Sequence, residues 1–244
     1  MTILVEKDYH LMSAKAAEDV MKMLNSVQNP LLCPATGDSP KGLYHEMIKE
    51  INNKKIGISH WNFVGLDEWV GMNGKDEGSC RFHLNNDLLN PLNVKQPNIC
   101  FFDGRSADLQ EEIIKTNDFI KKHNGIDVAI AGLGLNGHIG MNEPGTDPSL
   151  PAHISEIDPL TQQVGQKYFK NPQELKGGIT LGIKEIMEAH HVILLISGSK
   201  KAKIAQQVLE GEISSEFPAS FLQNHPNCTV YLDKEAASLL KNNE

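Results

Sequence analysis

The stretch DVAIAGLGLNGHIGMNEPG (residues 127–145) decides how this chain is read. Its first half, from Val128 to Gly134, is continuously apolar with no alternation. That is the pattern of a strand buried on both faces, as in a parallel sheet. Gly132, Gly134 and Gly137 then fit the dinucleotide-binding pattern G-x-G-x-x-G. A loop of that kind must run into a long helix packed on the sheet. Here Pro144-Gly145 follows seven residues after Gly137, and further prolines come after it, so no regular helix of useful length fits. A nicotinamide dehydrogenase is therefore disfavoured. The stretch instead gathers an amide, an imidazole and a carboxylate (Asn136, His138 and Glu143). Imidazole exchanges protons near neutrality, and a carboxylate can orient it and balance its charge. The alternative is a histidine that merely makes a structural hydrogen bond in a turn.

Outward from this strand, short apolar runs alternate with longer amphipathic ones. Strands are expected at MTILVEK, LLCPA, WNFVGLDEW (61–69), HHVILLIS (190–197) and CTVYLD (228–233). Helices are expected over 9–27, after Pro40 within 37–53, over 107–123, at ITLGIKEIMEA and at KKAKIAQQVLEG. Segments 71–79 and 146–178 read as loops. The alternation implies a doubly wound, Rossmann-like α/β fold: a mostly parallel sheet with helices on both faces, in a single domain spanning 1–244. Ligands of such sheets bind at the carboxyl ends of the strands.

Composition narrows the class. The 244 residues carry a net charge of −8, with 40% hydrophobic residues. This is a globular chain with a sizeable core and no broad basic surface for nucleic acid. Cys33, Cys80, Cys100 and Cys228 show no C-x-x-C spacing and read as free thiols of a reducing compartment. Charges at Glu6, Lys7 and Asp8 break the apolar start, so no signal peptide is expected. No apolar run is long enough for a membrane span, and a cytoplasmic location follows.

The loops after the strands hold the remaining candidates. Thr36-Gly37-Asp38-Ser39 leads into a helix and can cradle a phosphate through backbone N–H groups and hydroxyls; the alternative is an ordinary Ser/Thr helix cap. Asp67 and Glu68 follow the strand that begins at Trp61, where a carboxylate can serve as a general base or as a loop cap. Gly198-Ser199-Lys200-Lys201 opens another helix. Lysines there oppose the helix dipole, which suits a bound anion, though both could simply be solvated.

The segments LCPATGDSP, FVGLDEWVG, GLGLNGHIGMNEPG and GSKKA, in this order, resemble the glucosamine-6-phosphate deaminase family, whose fold is related to that of the 6-phosphogluconolactonases. The resemblance runs from about residue 10 to residue 235. It implies conversion of an amino-sugar 6-phosphate to a ketose 6-phosphate and ammonia, with no cofactor or metal. It implies that Asp67 moves the proton between carbons 2 and 1 and that His138 opens the ring, aided by Glu143. Asn136 stands where many members carry Asp, and an amide orients an imidazole rather than charging it. Thr36, Gly37, Asp38, Ser39 and Lys201 resemble the phosphate site. Asp38 departs from the usual Gly, and its carboxylate is expected to point away from the phosphate. Lys167, in GQKYF, replaces an Arg, and lysine offers a point charge instead of a bidentate fork. His153 stands near the position of an allosteric Arg, so allosteric activation is not expected. The runs LPAHISEIDPLTQQ, GGITLGIKEI and FPASFLQNH resemble the galactosamine-6-phosphate deaminase/isomerase branch, whose product is tagatose 6-phosphate. The gluco epimer, giving fructose 6-phosphate, is the alternative. The 149–170 loop is where carbon 4 would be read. A lactonase-type hydrolase and a non-enzymatic sugar-phosphate sensor are the more distant readings. The partner expected is the small sugar phosphate alone, with homo-oligomer and monomer both open.

Overall fold

Ten strands form in the computed structural model, which describes residues 1–241. They are β1 (Thr2–Glu6), β2 (Leu31–Cys33), β3 (Asn62–Val64), β4 (Asp67–Trp69), β5 (Ile99–Cys100), β6 (Val128–Gly132), β7 (His153–Glu156), β8 (Gly177–Thr180), β9 (His191–Ile196) and β10 (Cys228–Asp233). Seven of them make one sheet in the order β1-β10-β9-β6-β2-β3-β5. Every pairing in it is parallel. The remaining three form a small antiparallel sheet, β4-β8-β7.

The apolar runs are unalternating because both faces of the large sheet are covered. Val128 and Ile130 of β6, with Ile193 and Leu195 of β9, pack against Met12, Val20, Leu43 and Met47. The last four belong to α1 (Tyr9–Asn25) and α2 (Asp38–Lys54). Ala129, Ala131, Val192 and Leu194 point the other way, into a cluster with Ile113, Ile186, Ala205 and Val208. Those come from α4 (Leu109–Lys122), α6 (Ile183–Glu188) and α7 (Ala202–Glu210). Each fully buried aliphatic side chain contributes about 1.5–3 kcal/mol relative to exposure. Helix starts follow the chemistry of their first residues. The side chains of Asp8 and Asp108 accept backbone N–H groups of the first turns of α1 and α4. No helix among the described residues is long and apolar enough to cross a membrane.

The structure departs from the sequence reading in the second sheet. The expected single strand 61–69 is two strands in different sheets. β3 ends at Val64, and the chain leaves the large sheet at Gly65, where a Cβ would lie 2.1 Å from the Phe101 ring. The expected helix at 179 begins as β8, because Gly177–Thr180 pairs on both edges with β4 and β7; α6 starts only after Gly182. The loop-like 146–178 holds β7 and a short helix, α5 (Pro159–Gly165), capped by the Asp158 side chain. A further short helix, α3 (Cys80–Leu84), follows the 71–79 loop and continues as a π-turn through Leu89.

Candidate active site

The carboxyl ends of β2, β6 and β9 open into one cavity of about 920 Å³, roofed by residues from β4, α3 and α5. Of the ten candidate residues, Thr36, Gly37, Asp38, Ser39, Asp67, His138, Lys167 and Lys201 line it directly. Asn136 and Glu143 do not. They stand behind His138, off the cavity wall.

After Gly132 the chain turns instead of starting a helix. Gly137 takes φ +86°, and Ile139 bridges back to Asn142. Gly134 serves the imidazole: a Cβ there would lie 2.3 Å from His138 Nδ1. The glycine spacing is thus that of a loop folded around a histidine, not of a pyrophosphate cradle. His138 Nδ1 lies 2.7 Å from Asn136 Oδ1. The Asn136 amide nitrogen donates to Glu143 Oε2 at 2.8 Å, so the amide oxygen faces the ring and Nδ1 carries the proton. Nε2 is left for the cavity. Glu143 is buried, and burial alone raises its pKa. Hydrogen bonding and charge from His138, with bonds from Asn136 and Thr161, outweigh this and hold the carboxyl below its usual range. Asn142, fully buried, ties the loop to the second sheet by donating to the carbonyls of Ile139 and Leu181, each at 2.9 Å.

Asp67 opens β4, paired with Thr180 of β8. Burial raises its pKa to about 6; a hydrogen bond from Cys80 and the charge of His138 oppose the rise. Its neighbour Glu68 is 1% exposed and turns away from the cavity. It accepts the backbone N–H groups of Trp69, Cys80 and Arg81 at 2.8–3.0 Å, clamping the start of α3 against β4. Burial brings its pKa to about 7 in spite of those three bonds.

At the other end of the cavity, α2 begins after Gly37 (φ +117°) with no side-chain cap. The Ser/Thr cap is therefore not formed. Ser39 Oγ lies 3.0 Å from Ser197 Oγ, and the first-turn N–H groups stay available to an anion. Lys201 reaches in to donate to the Leu133 carbonyl. Burial and the nearby Lys167 charge lower its pKa to about 8, against the pull of Asp38. The Asp38 carboxylate accepts from Lys167 Nζ at 2.5 Å on the cavity wall, a pairing the sequence reading did not anticipate. The 198–199 backbone is already satisfied, since Gly198 N–H donates to Asp233 and Ser199 N–H to Glu235. Lys200 and Lys201, both on the cavity wall, are the loop's cations toward an anion.

Sequence reasoning missed Thr161. Its Oγ lies 3.1 Å from both His138 Nδ1 and Glu143 Oε2, bridging two groups that stand 3.5 Å apart. It also missed Cys80, His83 and Tyr168 on the cavity wall. Thr161 and Tyr168 fall in the 149–170 loop, singled out for a different role; Cys80 and His83 carry no motif of their own.

A parallel α/β sheet, an oriented imidazole, a half-buried carboxylate and an uncapped helix start facing one cavity suit acid–base chemistry on a small anionic ligand. The chain belongs to the glucosamine-6-phosphate isomerase/6-phosphogluconolactonase family, whose model matches residues 7–231. It is 37% identical to a glucosamine-6-phosphate deaminase of Clostridium tetani, over 98% of this chain and 100% of that one. It is 35% identical to another of Oceanobacillus iheyensis, over 97% and 95%. A solved structure of a monomeric glucosamine-6-phosphate deaminase superposes with a TM-score of 0.94 at 32% identity, covering 98% of this chain and 100% of that chain. The 6-phosphogluconolactonase of Trypanosoma brucei shares the fold, with a TM-score of 0.73 at 19% identity over 98% of each chain.

Proposed function

We propose that this protein converts glucosamine 6-phosphate to fructose 6-phosphate and ammonia. As a full-length relative of glucosamine-6-phosphate deaminases, it is an amino-sugar-phosphate deaminase/isomerase. The observation that carries the mechanism is the meeting of three parts at one cavity: the half-buried Asp67, the Asn136–His138–Glu143 array and the lysine-flanked start of α2. The relatives named above are gluco enzymes, and they favour that epimer over the galactosamine branch expected from the sequence.

In this reading the phosphate seats on Thr36–Ser39 and Lys201, with Lys167 exchanging Asp38 for the phosphate. His138 Nε2 takes the proton of the carbon-1 hydroxyl and passes it to the ring oxygen, and the chain opens. Asp67 takes the carbon-2 proton as the substrate's ammonium gives one to the carbon-1 oxygen, which makes an enolamine, and Asp67 then returns its proton to carbon 1. Water adds to the resulting carbon-2 imine, and ammonia leaves. The raised pKa of Asp67 suits this work, because a carboxylate is a better base when its conjugate acid is weaker.

The galacto epimer remains the second reading on one observation: Lys167, paired to Asp38, stands where the resemblance implies an arginine. Ammonia release from the two amino-sugar phosphates under identical conditions tests both. Faster turnover of the gluco substrate is expected. Preference for the galacto substrate reverses the epimer and keeps the chemistry, while no ammonia from either overturns the reaction.

A further inference from the structure

Ser197 belongs to none of the motifs read from the sequence, yet the sheet places its hydroxyl beside the start of α2. It is the residue directly after β9, half-buried and on the cavity wall. Successive side chains of a strand point to opposite faces. Ile193 and Leu195 of β9 pack on the α1–α2 side, in one cluster with Leu43 and Met47. Ser197 is next in that series, so the column changes from apolar to polar where the core ends and the cavity begins. Its Oγ lies 3.0 Å from Ser39 Oγ in the first turn of α2, a contact across 158 positions of the chain. β9 and β2 flank β6 in the sheet, so the pair reaches over the carboxyl end of β6. Gly132 stands there on the same face as Val128 and Ile130, and a Cβ on it would meet nothing within 4 Å. The space beside the two hydroxyls is therefore open. The Gly198 and Ser199 N–H groups are already given to Asp233 and Glu235, so it is side chains that this loop offers to the cavity.

We infer that Ser197 is a positioning residue for the phosphate site, donating its proton to Ser39 so that the Ser39 proton turns to the anion. The inference rests on the proposed seat of the phosphate at residues 36–39 and deepens it. A hydroxyl has one proton to give and two lone pairs. In the pair one hydroxyl donates and the other keeps a free proton, and either order fits the 3.0 Å contact by itself. A phosphate oxygen paired with lysines only accepts. It therefore selects the order in which Ser197 gives to Ser39 and Ser39 gives to the phosphate. A hydroxyl that accepts one hydrogen bond donates a stronger one, because the chain of bonds polarises. Without the Ser197 hydroxyl, the Ser39 proton loses both its fixed direction and that polarisation.

The test is a double-mutant cycle on inorganic phosphate binding, read by calorimetry in wild type, Ser197→Ala, Ser39→Ala and the double variant. Ser197→Ala should weaken phosphate about three- to tenfold, the scale of one hydrogen bond. Ser197→Thr keeps the hydroxyl and should restore most of the affinity. In the Ser39→Ala background the Ser197→Ala change should weaken phosphate by no more than about twofold, because its acceptor is gone. In turnover the loss should appear in the KM for glucosamine 6-phosphate rather than in kcat. Equal phosphate affinity in wild type and Ser197→Ala overturns the inference. So does a full loss in the Ser39→Ala background, which would make Ser197 an independent contact. A wild-type protein that binds no phosphate removes the cradle and the inference together. One that binds phosphate but releases no ammonia removes the assigned reaction, and the cycle still decides Ser197.

Discussion

Asp67 and Lys201 have pKa values moved toward neutrality from opposite sides, to about 6 and about 8, chiefly by burial. Asp67 must be ionised to accept a proton, so kcat/KM should rise with pH through about 6. Lys201 must be protonated to hold phosphate, so kcat/KM should fall as pH passes about 8. A flat profile between these values would remove both groups from the rate. Asp67→Asn should lower kcat by about 10²–10⁴-fold or more and leave inorganic phosphate affinity nearly intact. Thr161 offers a finer case. Its hydroxyl bridges His138 and Glu143, which stand 3.5 Å apart. Thr161→Val should lower kcat by roughly tenfold with little change in KM, and Thr161→Ser should restore most of it. Equal losses in Val and Ser would assign Thr161 to packing instead. Asp67 and His138 were legible in the sequence because each stands in a compact motif at the end of a strand. Thr161 was not, since it meets His138 across 23 positions and nothing local marks it.

Elements hold these residues by backbone devices that explain the sequence at single positions. The turn after β6 admits the His138 ring only because residue 134 lacks a Cβ. Gly134→Ala should therefore displace the imidazole and lower kcat by up to about 10²-fold, the scale of a misplacement near 1 Å. Wild-type kcat in that variant would mean that the loop relaxes freely. The start of α2 carries its own counter-ion. Asp38 holds Lys167, and both side chains are about half exposed. Asp38→Asn should tighten inorganic phosphate several-fold, about the strength of an exposed ion pair, with no gain when Lys167 is also replaced by Met. At this scale the strands of the large sheet were readable, because two buried faces demand unbroken apolar runs. The small sheet was not. β4, β7 and β8 have only three or four residues each, and Ile179-Thr180 reads equally well as the start of the helix that follows. Their pairing rests on tertiary contacts with Met141 and Ile157, which no local pattern announces.

For the whole molecule the site acts as a cross-link. The cavity draws its walls from residues 35–40, 66–83, 132–141, 160–168 and 197–201, segments that are distant in the chain. An anion seated between the start of α2 and Lys201 therefore touches elements that separate on unfolding. Binding to the folded state alone adds about 2.7 kcal/mol at a ligand concentration one hundred times Kd. For a chain of this size that is a rise in Tm of roughly 5–10 °C. Inorganic phosphate should produce such a rise in wild type and in Asp67→Asn, because Asp67 does not hold the phosphate. Lys201→Met should abolish most of it while melting near the wild-type temperature without phosphate, since a half-buried ammonium with no carboxylate partner is replaced by an apolar chain of similar length. An equal phosphate-induced rise in wild type and Lys201→Met would place the anion elsewhere and detach the cradle from the mechanism. Loss of the rise in Asp67→Asn would instead show that the two ends of the cavity are energetically one unit.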